Sequence, residues 1–186
     1  PDDKMGGIDY LRLDKTKTKH YRFDFAFGPN GAQEEVYANT AKPLVEKALQ
    51  GYNACCFAYG ATGAGKTFTM VGDPDCGPEA DGVIPRAVRE LFERIKGAAA
   101  QFVVRVSYLQ IYNETLSDLL QPATRRSSGK PLTIREDPRH RGIYVENLSE
   151  TIVSSEAEVS ALLRRGNAAR VTAATAAHEL SSRSHA

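Results

Sequence analysis

The sequence predicts an α/β fold, and three observations support this prediction. Segments with the residue content of strands alternate along the chain with segments of helical periodicity. A short apolar run at residues 54–58 is followed by a glycine-rich turn and a helix, which is typical of a strand buried on both faces of a parallel sheet. Hydrophobic residues make up 41% of the 186 residues, enough for one globular domain or a large part of one.

The first half of the chain contains a predicted hairpin and two predicted helices. Residues 8–27 alternate loosely around a charged turn, which indicates a hairpin or edge strands. Residues 33–50 form a helix that Pro43 kinks without ending it, and Gly51 suits the position just past its end. Residues 72–82 are a loop rich in Gly, Pro and Asp.

The second half begins with the clearest helix, at residues 84–96, where apolar residues form one stripe and Gly97 follows. Residues 101–112 are rich in β-branched and aromatic residues and predict one long strand. We expect Asn113 to cap a short helix that ends at Leu120. A polar loop covers residues 121–130.

Two strands and a helix are predicted in the last part of the chain. The strands lie within residues 132–150, around the turn EDPRHRG. Ser155 and Glu158 form a capping box at the start of the helix. Gly166 is expected to follow its last turn, and the remainder of the chain is small and polar.

The composition limits the possible classes of protein. No run approaches 18 apolar residues and the first residues are polar, so neither a transmembrane helix nor a signal peptide is predicted. Cys55, Cys56 and Cys76 have no metal-ligand spacing. We interpret them as small hydrophobic residues in a reducing compartment, the first two on the buried strand.

The strongest motif is the sequence G-x-x-x-x-G-K-T at residues 60–67, the phosphate-binding P-loop pattern. Glycines leave backbone N–H groups free to surround phosphate oxygens, the lysine adds positive charge, and the threonine hydroxyl can bind Mg²⁺. The alternative is a chance match, but the apolar run before the loop and the helix after it favour a nucleotide site. The predicted nucleotide-binding residues are Gly60, Ala61, Thr62, Gly63, Ala64, Gly65, Lys66, Thr67 and Phe68.

Basic residues are concentrated in two segments, residues 12–22 and residues 121–141, although the net charge is only +1. Such segments attract acidic partners, whether nucleic acid or an acidic protein surface. The plainer interpretation is that they are ordinary solvated hairpins and loops. No element that reads a nucleic-acid groove or binds single strands is recognisable, so a nucleic-acid enzyme is not favoured.

Several motifs in the same order as in one family make the sequence resemble the kinesin motor domain over almost its whole length. They are GYNACCFAYGATGAGKTFTM at residues 51–70, QEEVY at 33–37, GVIPR at 82–86, VSYLQIYNE at 106–114 and SSRSH at 181–185. The resemblance implies a P-loop NTPase with a mixed, mostly parallel central sheet flanked by helices. It also implies ATP and Mg²⁺ as cofactors and microtubules as the partner.

The resemblance assigns roles to individual residues. Ser181, Ser182 and Arg183 would form the first switch, which faces the γ-phosphate and Mg²⁺ across from Lys66 and Thr67. Lys66 and the three switch residues would be the catalytic set, and Thr67 and Ser182 the metal ligands. A helix-capping serine cluster is the alternative for SSRSH. The ring of Phe68 would either stack near adenine or pack against its own helix.

Arg139 and Arg141, in the basic hairpin, would contact acidic tubulin if the resemblance holds. Two positions depart from the family pattern: His178 replaces an asparagine, and Leu180 stands where polar residues are commoner. Either change is expected to slow hydrolysis or alter closure of the switch.

We expect residues 1–186 to be a partial motor domain that lacks the family's first strand, its second switch, most of its microtubule-binding face and its neck. The strand at residues 54–59 would then have unpaired backbone groups along both edges. The isolated 186 residues are therefore expected neither to fold independently nor to be active.

Three functions remain open from the sequence. The first is an ATP-driven microtubule motor in the cytoplasm and cytoskeleton, of the spindle or axoneme, with self-association through regions outside this chain. The second is a non-motile, kinesin-like structural subunit with weak or no ATPase activity. The third is another P-loop NTPase such as a myosin, against which the strand YLQIYNE and the segment FAYG argue. The loop GATGAGKT resembles that of kinesins acting at microtubule ends, without assigning a subfamily.

Overall fold

The structure is a computed structural model that describes residues 20–73, 75–98, 101–122, 130–137, 142–175 and 184–186. Residues 1–30 and 31–186 form two compact units. In the described part of the first unit, residues 20–30, no helix or strand forms, although an edge strand was predicted as far as residue 27. Alternate aromatic residues stack there, Tyr21 on Phe23 and Phe25 on Phe27. The rest of that predicted hairpin lies outside the described residues.

Two helices replace the single kinked helix predicted at residues 33–50. Helix α1 (Gln33–Thr40) and helix α2 (Lys42–Leu49) are separated at Ala41, and Pro43 lies in the first turn of α2. Proline has no N–H to continue the hydrogen-bond ladder of α1, so the helix ends there instead of bending. Gly51 follows α2 as predicted, with φ of +92°, which suits glycine.

Helices α3 (Lys66–Met70) and α4 (Val83–Lys96) follow the apolar segment and the loop at residues 72–82. The loop contains a short 3₁₀ turn, Pro78–Ala80. As predicted, Gly97 follows the last residue of α4. Its residues contribute to two hydrophobic clusters, since Val83 packs with Tyr37 and Ala41, while Phe92 packs with residues of the last helix and of the sheets.

The predicted long strand at residues 101–112 is interrupted. Strand β1 (Val104–Val106) and strand β2 (Leu109–Tyr112) belong to different sheets. The predicted helix after Asn113 is wrong, because β3 (Thr115–Asp118) pairs antiparallel with β2. Asn113 and Glu114 form the two-residue turn, with φ of 46° and 60°. Positive φ at both turn residues is what a tight type I′ hairpin requires.

The remaining strands are β4 (Thr133–Asp137), β5 (Gly142–Glu146), β6 (Thr151–Val153) and β7 (Ser184–His185). The β4–β5 hairpin confirms the two strands predicted around EDPRHRG. The sequence analysis missed β6, which pairs with β1, and β7, which joins β2 and β3 in a three-stranded sheet. Every ladder among the described strands is antiparallel, so the predicted parallel pairing is not among them.

The predicted buried strand at residues 54–59 is not a strand in the structure. These residues have no ladder partner among the described residues, and most are exposed, Phe57 at 81% and Tyr59 at 95%. Cys55 and Cys56 are exposed as well, as is Cys76 in the following loop. An apolar run becomes a buried strand only where neighbouring strands and helices cover it, and this cover is missing from the described structure.

Helix α5 (Glu156–Thr175) continues well past Gly166, where the sequence predicted its end. Gly166 is buried, and a β-carbon at this position would overlap the ring of Tyr108. The glycine therefore permits close packing and is not a helix terminator. At the start of the helix the Glu158 N–H donates to Ser155 Oγ, as a capping box requires, and the Glu158 carboxylate accepts from Ser154. None of the described helices has the length and apolar character needed to cross a membrane.

Candidate functional site

The glycine-rich loop at residues 60–65 lies exposed, between the apolar segment and α3. Gly63 and Gly65 have φ of 81° and 86°, a backbone conformation that other residues adopt only with strain. The Ala64 N–H donates to the carbonyl of Ala61 at 3.1 Å, which closes a turn within the loop. Successive turn and left-handed conformations direct backbone N–H groups toward one side, an arrangement that can bind anions.

Lys66, the first residue of α3, folds back over this loop. Its Nζ atom donates to the carbonyl oxygens of Gly60 at 2.9 Å and Ala61 at 2.8 Å. The ammonium group is thus held at the loop by two backbone acceptors. A phosphate bound in the loop would meet both the backbone N–H groups and this charge.

Thr67 follows on α3 and is exposed. Its hydroxyl is an oxygen donor of the kind that Mg²⁺ prefers, and Mg²⁺ usually takes only one or two protein ligands together with phosphate oxygens and water. Among the described residues no group of three or more His, Cys, Asp or Glu side chains could hold a metal ion. The Thr67 hydroxyl, as a single oxygen donor, fits a metal that also takes phosphate oxygens as ligands.

Phe68 is 54% exposed, so its ring is not buried against the protein. Of the two roles left open by the sequence, this exposure favours an aromatic surface available to a ligand. Stacking on a base remains a prediction.

The end of α3 is fixed from two sides. Gln33 Nε2, on α1, donates to the carbonyl of Phe68 at 2.7 Å. The Gly82 N–H, just before α4, donates to the carbonyl of Val71 at 3.2 Å, and Gly82 lies so close that a β-carbon there would come within 2.6 Å of Thr69 O. Neither contact follows from the sequence pattern. Gln33 lies in the QEEVY motif, but nothing in its local pattern shows that its side chain is buried.

The predicted first switch, Ser181, Ser182 and Arg183, lies outside the described residues, as do His178 and Leu180. The two residues that follow the switch form β7, in which His185 pairs with Ile111 and Ser184 with Tyr112. Ser184 and His185 thus form one edge of the sheet that contains β2 and β3. Its closure over the glycine loop stays a prediction.

Arg139 and Arg141, the predicted microtubule contacts, also lie outside the described residues. The strands before and after these residues in the sequence, β4 and β5, are largely exposed, and Arg135 Nε forms an ion pair with Glu146 Oε2 at 2.7 Å across them. This hairpin has apolar surface too, because Ile134 and Ile143 are 55% and 75% exposed.

A cavity of about 630 Å³ lies beside the β2–β3 hairpin, far along the chain from the glycine loop. Asp118, Lys130 and Asn147 are among the residues that line it, and none of its lining residues belongs to the predicted nucleotide site. Asp118 is buried and accepts hydrogen bonds from the backbone N–H groups of Leu120 and Ser149, both at 2.9 Å. Its carboxylate therefore joins two loops and has a structural role.

Comparison with known proteins gives consistent matches. The family model described as the kinesin motor domain matches residues 8–186. The kinesin-like protein KIN-8A of Arabidopsis thaliana is 44% identical over 180 residues, and the match covers 96% of this chain and 23% of that protein. The kinesin-like protein KIF11 of Xenopus tropicalis is 41% identical over 190 residues, with 98% and 17% covered.

A solved structure of a fast kinesin is similar as well, with a TM-score of 0.80 and 43% sequence identity. The superposition covers 88% of this chain and 45% of that one. This likeness confirms the predicted fold class, a P-loop NTPase fold. The chain spans about a fifth of the length of the curated relatives that it matches.

Proposed function

This chain belongs to the kinesin motor-domain family, and from that premise we propose that it is the nucleotide-binding half of an ATP-driven, microtubule-based motor. The proposal rests on the conformation of the glycine loop and on the position of its lysine. Gly63 and Gly65 adopt left-handed conformations, and Lys66 lies against the carbonyls of Gly60 and Ala61. A triphosphate is the ligand that this motif is built to hold.

The residues of the loop have different roles in binding the nucleotide. Backbone N–H groups of residues 60–65 bind the phosphate oxygens, and Lys66 neutralises charge on the β- and γ-phosphates. Thr67, with Ser182 from the switch, would hold Mg²⁺, which would supply positive charge to offset that of the phosphates. Phe68 supplies an aromatic surface for the base.

The switch residues complete the site in this proposal. Ser181 and Ser182 orient the attacking water from the side opposite Lys66, and Arg183 latches the switch in its closed position. Because Ser184 and His185 pair with β2, a movement of the switch would pull on the edge of the three-stranded sheet.

Arg139 and Arg141 are proposed to contact the acidic surface of tubulin at the tip of the β4–β5 hairpin. The exposure of the hairpin strands supports this assignment, since a contact surface must be accessible. Such contacts weaken as salt concentration rises, because exposed charges are screened. We place the protein on microtubules, in the cytoplasm, at the spindle or axoneme.

The test is ATP hydrolysis by the full-length protein with and without microtubules. Microtubules should stimulate turnover, and Lys66→Ala should abolish it together with tight ATP binding. Lys96→Ala is the matched control, because Lys96 is an exposed lysine at the end of α4, away from the loop. Normal turnover in Lys66→Ala would overturn the proposal. Microtubule binding without any turnover in the unmodified protein would instead favour a non-motile structural subunit.

A further inference from the structure

Gln33 is a buried polar residue at the first position of α1 whose side chain reaches a distant element. It is 9% exposed, and its Nε2 atom donates to the carbonyl oxygen of Phe68 at 2.7 Å. The two residues are 35 positions apart in the chain. A buried amide is retained only where it finds hydrogen-bond partners, so this contact explains a glutamine at a buried position.

The acceptor of this bond is a carbonyl that α3 itself leaves without a backbone donor. The two N–H groups that follow the helix, those of Val71 and Gly72, both donate to the carbonyl of Thr67, at 2.8 and 3.3 Å. Helix ends leave their last carbonyls to be satisfied from outside. Gln33 meets this need for Phe68, one residue after Thr67 and two after Lys66.

Helix α1 is itself held in place by contacts with α4, so it can fix the position of α3. Tyr37 lies one turn after Gln33, on the same face of α1, and both are buried. Its hydroxyl donates to Glu90 Oε2 of α4 at 2.6 Å, and its ring packs in a cluster with Val83, on which Met70 of α3 also packs. One face of α1 therefore contacts both α3 and α4.

We propose that Gln33 is a positioning residue of the nucleotide site, which holds α3 so that Lys66 and Thr67 face the phosphates. This inference rests on the proposed function, since it assumes that the glycine loop binds ATP. Gln33 touches no reacting group; it acts through the backbone of Phe68. With only five residues in α3, the orientation of the helix depends strongly on such outside contacts.

Two substitutions in the full-length protein separate positioning from simple stability. Gln33→Leu keeps the bulk and removes the donor, and roughly a three- to tenfold weaker affinity for ATP is expected, as for one lost buried hydrogen bond. In Gln33→Glu the protonated carboxyl can donate to Phe68 O, whereas the ionised carboxylate would face a carbonyl oxygen. Its ATP affinity should therefore approach that of the unmodified protein at acidic pH and fall as the pH rises.

The measurement is titration with a fluorescent ATP analogue between about pH 5.5 and 8.5, with thermal unfolding of each variant recorded alongside. Asn39→Leu is the control, because Asn39 lies on the same helix and its amide donates only locally, to Glu35 O. A purely structural effect would instead lower the melting temperature of Gln33→Glu in step with its ATP affinity as the pH rises. If the ATP affinity of Gln33→Glu changes with pH in the same way as that of the unmodified protein, the inference is overturned. This holds even if Gln33→Leu does not fold.

Lys66→Ala in the same titration distinguishes the two proposals. If it binds ATP normally, the proposed function fails and the loop is not the nucleotide site. If it loses binding while both Gln33 variants behave like the unmodified protein, only the positioning role fails.

Discussion

The phenol of Tyr37 on α1 donates a 2.6 Å hydrogen bond to Oε2 of Glu90 on α4. The same carboxylate accepts from Arg94, which also reaches Glu46 of α2. Burial alone would raise the pKa of Glu90, but the bonds from Tyr37 and Arg94 outweigh it, and the pKa lies below the ordinary value. Burial and the same carboxylate raise the pKa of Tyr37. The network joins three helices, α1, α2 and α4.

The stability of this network should depend on pH through Glu90. Because the folded-state pKa is lowered, the stabilisation is present above the ordinary value of 4.5 and is lost as the pH falls through the lower folded value. Glu90→Gln should therefore unfold more easily than the unmodified protein at neutral pH, and the difference should shrink in acid. Urea unfolding at a series of pH values tests this, with Glu93→Gln, an exposed neighbour, as the control. A difference that is constant with pH would contradict it.

Gly65→Ala should weaken ATP binding. At φ of +86° an alanine is strained by about 1–2 kcal/mol, and the loop can relieve this strain only by leaving the conformation that directs its N–H groups. ATP affinity should fall while the melting temperature changes little. The matched control is Gly97→Ala, since Gly97 has φ of −94° and open space around it. Equal ATP affinities in the two variants would show that the loop conformation does not matter.

Gly166→Ala should destabilise the protein by about 1–3 kcal/mol, the usual cost of forcing a methyl group into a packed site. The methyl group would overlap the ring of Tyr108, whose hydroxyl donates to Asn167 Oδ1 at 2.7 Å. In a Tyr108→Leu background the same alanine should cost much less, because the ring is gone. Denaturant unfolding of the unmodified protein, the two single variants and the double variant gives the coupling free energy between the two residues. Additive effects would mean that the two residues do not meet.

Glu114→Gly should stabilise the β2–β3 hairpin. Glu114 has φ of 60°, and Asn-Gly is the preferred pair for a two-residue turn of this type, so a gain of roughly 0.5–1 kcal/mol is expected. Glu136→Gly, within β4, is the comparison and should lose about the same amount, because glycine weakens a strand interior. A lower melting temperature for Glu114→Gly would argue against the turn geometry.

Local patterns predicted the elements that depend on local chemistry. The stripe of α4, the glycine after α2 and the capping residues Ser155 and Glu158 were all visible in the sequence. The glycine loop was found because its spacing reflects the shape of a phosphate. Those features need no knowledge of distant residues.

The elements that were predicted wrongly, or not predicted, depend on contacts with residues that are distant in the sequence. Gly166 looks like a helix end in the sequence, but its role is to admit the ring of Tyr108. Residues 115–118 form a strand because β2 lies beside them, and Gln33 is buried where it donates to Phe68 O, 35 positions away. Periodicity within a segment carries no information about such contacts.

The exposed run at residues 54–59, ACCFAY, has consequences for handling the protein. It contains no charge and no proline, and it has no ladder partner in the described structure. Six uncharged residues of this kind form intermolecular sheets readily, so concentrated samples of residues 1–186 on their own should aggregate through this segment. The adjacent thiols of Cys55 and Cys56 would then crosslink the aggregates under oxidising conditions. Purification therefore requires a reducing buffer and a soluble binding partner that covers this segment.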